Sequence, residues 1–223
     1  MLRTPLCDLL GIDVPIVQAP MIQAATARLA AEVSNAGGLG SLSTVMLPAA
    51  KLREEIAQVQ ERAERPFNVN HIMNQFDPEA WQATLEAWPP VISFALGDPG
   101  EYVEQAHAVG SLVMQQVVTV ASARRAAERG VDVIIAQGSE AGGNSGLVST
   151  LALVPQVVDA VAPIPVVAAG GIADGRGLAA VLMLGAQGVN MGTRFLASRE
   201  ATIPDGWKQA ILDADSSGVG KFV

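Results

Sequence analysis

VDVIIAQGSEAGGNSG, residues 131–146, joins an almost wholly apolar run to a polar segment with four glycines in its last ten residues. A run that is apolar throughout, instead of alternating, is what a parallel strand covered on both faces requires. The glycine-rich break marks the end of that strand, and Ala152–Val161 beyond it has the apolar spacing of an amphipathic helix. PVVAA at 165–169, followed by GGIADG, starts the same unit again.

Read outward from this pair, the whole chain repeats that unit. Strands are predicted at Ile16–Gln18, Leu39–Leu42, Phe67–Asn70, Val91–Ala95, Leu112–Val117, Val131–Ala136, Pro165–Ala169 and Gly188–Met191. Helices are predicted between them at Ala27–Asn35, Pro48–Glu64, Pro78–Ala87, Gly100–Ala108, Val120–Arg129, Ala152–Val161 and Gly175–Leu184. Eight such repeats point to an α/β chain closed as a (β/α)8 barrel, a single domain over residues 1–223. No linker or low-complexity segment divides it. After Arg199 the pattern weakens, and the tail SSGVGKFV reads as a frayed or truncated end.

Composition agrees with this class and excludes others. Half of the 223 residues are hydrophobic, 16% are charged and 4% aromatic, with 22 Gly and 13 Pro, a balance that favours short buried strands and Ala-rich helices over a β-sandwich. A net charge of −8 leaves no basic surface to neutralise many phosphates, so nucleic acid is not an expected partner. The lone Cys7 cannot close an intrachain disulfide, which fits a reducing cytoplasm, and no zinc-type spacing of Cys and His is present. Asp8 and Asp13 interrupt any apolar leader, while Gln156, Asp159 and three prolines interrupt the most apolar later stretch, so no membrane association is expected.

In a barrel of this kind, function collects where strands end and helices begin. Pro20, in Gln18-Ala19-Pro20-Met21, removes a backbone donor and either makes a bend or holds extended chain against a flat ring. Gly37, Gly38 and Gly40 read as the cap of a helix before a strand. Asn68, Asn70 and His71 could hydrogen-bond a heterocycle, or could be turn residues. Gln115 and Gln116 lie inside the apolar run LVMQQVV, where a polar side chain facing the barrel must find a partner, so one of them is expected to meet a ligand.

The segment Gln137–Gly146, with Gly142 and Gly143, exposes backbone N–H groups of the kind that cradle anions. Ala169-Gly170-Gly171 and Asn190-Met191-Gly192-Thr193-Arg194 follow the seventh and eighth strands, the recurrent phosphate site of barrel enzymes. Bare amides and a nearby helix N-terminus would meet a phosphate there, with Thr193 and Arg194 adding donors. Glu140 could be an acid or base, pair with Arg194, or cap a helix; His107 reads as a helix-surface histidine, and the methionines mostly as packing.

PIVQAPM, SNAGGLGSLST, FNVN, QGSEAGG, AAGGIADGRG and GVNMGTRFLA occur in that order across about residues 5–200, and together they resemble the nitronate monooxygenases, formerly 2-nitropropane dioxygenases. That resemblance implies an FMN-dependent barrel oxidising alkyl nitronates, with oxygen reoxidising the flavin. By it, Ala19, Pro20 and Met21 line the isoalloxazine ring, and Asn68 and Gln116 bond its polar edge. Gln137, Gly142, Gly143, Gly170, Gly171, Gly192 and Thr193 complete the FMN site, most of them around its phosphate.

Two departures stand out. Relatives that oxidise nitroalkanes carry a His as the base in EAGGH, where this chain reads Glu140-Ala141-Gly142-Gly143-Asn144. Asn144 takes no proton near neutral pH, which leaves His71 as the imidazole that could substitute. Typical members are also longer, with C-terminal structure over the flavin, so that cover is expected to be missing or supplied by a second subunit in a homo-oligomer. Other readings of the same residues are an NAD(P)H-dependent quinone or enoyl reductase, a catalytically weak flavin-binding protein, and a barrel for a phosphorylated metabolite.

Overall fold

A computed structural model describes residues 2–215; the tail at 216–223, expected to be frayed or truncated, lies outside them. Eight parallel strands form one sheet in the order β1-β8-β7-β6-β5-β4-β3-β2. They are β1 (Ile16–Gln18), β2 (Gly40–Ser43), β3 (Phe67–Ile72), β4 (Val91–Ala95), β5 (Leu112–Val117), β6 (Val133–Gln137), β7 (Val166–Ala169) and β8 (Gly188–Met191). A parallel bridge between Val17 and Leu39 joins the two ends, with Leu39 N donating to Ile16 O and Gln18 N to Leu39 O, each at 2.9 Å. The expected (β/α)8 barrel is the architecture observed.

The helices are α1 (Pro5–Leu10), α2 (Ala27–Asn35), α3 (Ala49–Arg62), α4 (Pro78–Ala87), α5 (Tyr102–Ala108), α6 (Val120–Glu128), α7 (Thr150–Val161), α8 (Gly175–Met183), α9 (Thr193–Leu196) and α10 (Asp205–Asp213). Their apolar faces pack on the outer faces of the strands, where Ile92, Phe94, Val113, Ile134, Ala168 and Val189 are buried with Leu153 and Val157 of α7. A second core joins α2, α3 and α4 through Ala30, Leu52, Ile56 and Ala80 to Leu42 and Val69.

The barrel interior is a third core. Val17, Val91, Met114, Val133, Ile135 and Val167 point inward, and Leu6 and Leu10 of α1 plug the end at which the strands begin. A Cβ at Gly188 would lie 2.5 Å from Leu6 Cδ2, so β8 carries glycine where the plug enters. The short α1 escapes a reading for long amphipathic periods, as does α10 in the region where the pattern weakens. Two methionines read as packing, Met46 and Met183, are instead exposed at 76% and 88%. Among the described residues, no helix is long and apolar enough to cross a membrane.

Candidate active site

Strand alternation decides which side chains reach the barrel mouth, because successive residues point to opposite faces. Registers Ser41↔Asn68, Ser43↔Asn70 and Asn70↔Ser93 place these polar residues on the same inward face as Val91 and Met114. Two residues beyond Met114 comes Gln116, two beyond Ile135 comes Gln137, and Asn190 pairs with Ala169 and Val17. The interior therefore changes from aliphatic to amide and hydroxyl along the strands.

These groups bond to one another. Asn68 Nδ2 donates to Ser41 Oγ at 3.0 Å and Ser93 Oγ at 2.9 Å, and Asn70 Nδ2 donates to Ser93 Oγ at 2.9 Å. Gln116 Nε2 donates to Gln137 Oε1 at 2.9 Å, and Gln137 Nε2 to Gly142 O at 3.3 Å. Asn68 Oδ1 and Asn190 Oδ1 are buried without a partner, although a buried amide oxygen ordinarily accepts a hydrogen bond. The sequence signal was a polar pair at spacing two for Ser41 and Ser43, and a lone polar residue inside an otherwise apolar strand for Ser93 and Asn190.

Of the two adjacent glutamines, Gln116 faces the interior. Gln115 points outward, its Nε2 donating to Gly97 O at 3.0 Å. Asn144 is exposed in the loop after β6, beside the exposed Gly142 and Gly143. Met21 and Ala19 lie next to the β8 end: a Cβ built on Gly192 would sit 3.5 Å from Met21 Sδ and 3.6 Å from Ala19 Cβ. Ala19, Pro20 and Met21 are half-buried there, with Ala19 N donating to Met191 O at 2.8 Å.

His71 corrects an expectation. Strand β3 runs to Ile72, so His71 shares the outward face of Phe67 and Val69 and is 1% exposed. Its ring lies 5.2 Å from Trp81, 5.9 Å from Phe76 and 6.3 Å from Phe94, with Nε2 3.0 Å from Thr84 Oγ1 on α4. Burial drives its pKa down to about 3, partly countered by Asp77. A neutral imidazole in the helix layer cannot serve as the base of the mouth, and the alternation Phe67, Val69, His71 carried that information.

The loops after β6 and β7 also refine the phosphate reading. The N-terminus of α8 is partly occupied by its own Asp174, whose Oδ1 accepts from Arg176 N at 2.9 Å and Gly177 N at 3.3 Å, so these two amides are not free for an anion. Glu140 does not pair with Arg194; it caps α7, Oε2 accepting from Thr150 N at 2.8 Å and Thr150 Oγ1 at 3.0 Å. Burial alone would raise the Glu140 pKa, and the bonds from Thr150 and Ser139 outweigh it, holding the carboxyl below the usual range. Gly171, Gly192 and Thr193 remain open at the ends of β7 and β8, and Arg194 has no ion-pair partner among the described residues. His107 pairs with Asp132 at 2.9 Å on the surface, as a helix-flank histidine should.

A family model described as nitronate monooxygenase matches residues 3–88 and 81–219. The chain belongs to the nitronate monooxygenase family. Within it, the Pseudomonas aeruginosa nitronate monooxygenase is 37% identical over 91% of this chain and 72% of its own length. The (3aS,4S,5R,7aS)-5-hydroxy-7a-methyl-1-oxo-octahydro-1H-indene-4-carboxyl-CoA dehydrogenase of Mycobacterium tuberculosis is 41% identical over 97% of this chain, which spans only 62% of that relative. FabK from Thermotoga maritima superposes with a TM-score of 0.92 at 40% identity, covering 96% of this chain and 69% of that one. FabK thus shares the barrel of this chain, and the motif segments singled out above fall inside the residues that the family model matches.

Proposed function

We propose that this chain binds FMN at the barrel mouth and acts as an oxidoreductase on alkyl nitronates. The observation that carries the reading is the inward ring of uncharged amides and hydroxyls, two of whose buried oxygens, Asn68 Oδ1 and Asn190 Oδ1, lack donors. A flavin ring has N–H donors and carbonyl acceptors on its polar edge, which suits such a ring of neutral groups. Ala19, Pro20 and Met21 would flank the ring, with Gln116, Gln137 and Asn68 on its polar edge. Gly171, Gly192, Thr193 and Arg194 would meet the phosphate, and the exposed Gly142 and Gly143 leave its approach unobstructed.

FMN, when bound, supplies a two-electron acceptor that oxygen can reoxidise. The protein's part is to bind the substrate over the mouth, orient it and keep its charge matched by dipoles. None of the inward polar side chains named above is ionisable, and Asn144 stands where the family motif has a base. A nitronate arrives already deprotonated and needs none, whereas a neutral nitroalkane must first lose its α-proton.

A second reading, dehydrogenation of a carboxyl-CoA thioester, is favoured by the alignments. The match to the mycobacterial dehydrogenase runs over 220 positions, while that to the Pseudomonas nitronate monooxygenase runs over 252, more than the 223 residues present here. The latter relative therefore carries insertions that this chain lacks. Anaerobic mixing of the FMN-loaded protein with a nitronate, a neutral nitroalkane and a carboxyl-CoA thioester separates the readings. Prompt bleaching of the flavin by the nitronate alone is the expected result; bleaching by the thioester alone would replace the first reading with the second.

A further inference from the structure

We infer that Glu140 and Thr150 form a brace that fixes the Gly170–Gly171 peptide for phosphate binding, making both positioning residues and neither an acid–base group. The inference rests on the FMN reading above and deepens it.

Thr150 opens α7 and is 6% exposed, wedged between the loop after β6 and the loop after β7. Its hydroxyl is 3.0 Å from Glu140 Oε2 in the first loop, and 3.1 Å from Gly170 O and 3.4 Å from Ala169 O in the second. One hydroxyl hydrogen thus faces acceptors from both loops. Both loops are glycine where they close on it: a Cβ at Gly138 would lie 2.1 Å from Thr150 Oγ1, and one at Gly170 would lie 2.8 Å from Thr150 Oγ1 and from Ala141 N. The missing side chain at Gly170, expected to make room for phosphate, makes room for Thr150.

Glu140 holds the wedge in place. Its Oε2 accepts from Thr150 N, Thr150 Oγ1 and, at 3.3 Å, Ser139 Oγ. A carboxylate so occupied is a poor proton donor near neutral pH, and its depressed pKa agrees. The carbonyl of Gly170 belongs to the same peptide group as the N–H of Gly171. A hydroxyl whose one hydrogen is shared between the Glu140 carboxylate and that carbonyl holds the plane of the peptide and so aims the Gly171 N–H.

The test compares FMN with riboflavin, which has the same ring and no phosphate, by fluorescence titration of the purified chain. Thr150→Val and Glu140→Ala should each weaken FMN binding by roughly 5–10-fold, the worth of about one hydrogen bond, and change riboflavin binding by less than about twofold. Thr150→Ser and Glu140→Gln, which keep a hydroxyl and an acceptor, should restore FMN affinity. Equal losses for both ligands, as general loosening would produce, or no loss for either, would overturn the brace. Should the wild-type chain bind neither ligand, the FMN reading itself fails. Amide exchange in the ligand-free protein then still decides the brace: Thr150→Val must speed exchange at Gly138, whose N–H is held by Ala169 O at 2.9 Å beside the wedge, and not at Val189, held by Pro15 O at 3.0 Å, and an unchanged Gly138 would refute it.

Discussion

At residue 71 a strand that is longer than its local pattern announces sends an imidazole into the helix layer. With β3 ending at Ile72, the pleat puts His71 among Phe76, Trp81 and Phe94, neutral and 1% exposed. Its folded pKa of about 3 lies below the ordinary value of 6.5. Above pH 6.5 both folded and unfolded forms are neutral, and no stability is lost. As pH falls below 6.5 the unfolded chain takes up a proton that the folded chain refuses, so stability declines down to about pH 3 and levels off there. At pH 5 the loss from this one group is about 2 kcal/mol. His71→Phe should flatten that part of the profile in urea denaturation at pH 5 and pH 7, and an unchanged slope would contradict the assignment. Asn144→His, in contrast, should add a base to the exposed loop at the mouth. Neutral nitroalkane oxidation should then rise by about 10² to 10⁴ and follow the imidazole titration, while nitronate turnover stays level. The types at both positions were plain in the sequence; the direction of His71 was readable only by extending the alternation of Phe67 and Val69.

Elements explain what single residues do not. The strands β1, β4, β5 and β8 stand where the apolar runs place them, because a buried parallel strand writes its identity into every residue. Their ends were less legible. β6 begins at Val133 and continues through Gln137, which turns Gln137 from a loop residue into an inward-facing one bonded to Gln116. Thr150 could not be found from its neighbours, since its hydroxyl bridges acceptors that lie 10, 19 and 20 residues away. The α1 plug was hidden by its length of 6 residues, too short to show a helical period. Leu6, fully buried in the plug, tests its worth: Leu6→Ala should cost about 2–5 kcal/mol in chemical denaturation, and a loss below 1 kcal/mol would mean that the barrel end closes without it.

On the scale of the whole molecule, the barrel turns separate sequence motifs into one site. The segments FNVN, QGSEAGG, AAGG and NMGTR are distant along the chain, and the sheet order sets their ends side by side around one mouth. The fold was readable because one unit repeats eight times. The ring of amides was only partly so, because Ser41, Ser93 and Asn190 acquire their role only when separate strands, β2 with β3, β3 with β4 and β8 with β1, come into register. The central claim is that this mouth holds FMN by its ring and its phosphate together. Equilibrium titration of the purified wild-type chain with FMN and with riboflavin tests it most directly. One FMN should bind per chain, with an affinity above that for riboflavin by more than about tenfold, the contribution of charge-assisted hydrogen bonds to the phosphate. A chain that takes up no FMN, or binds riboflavin equally well, would contradict it.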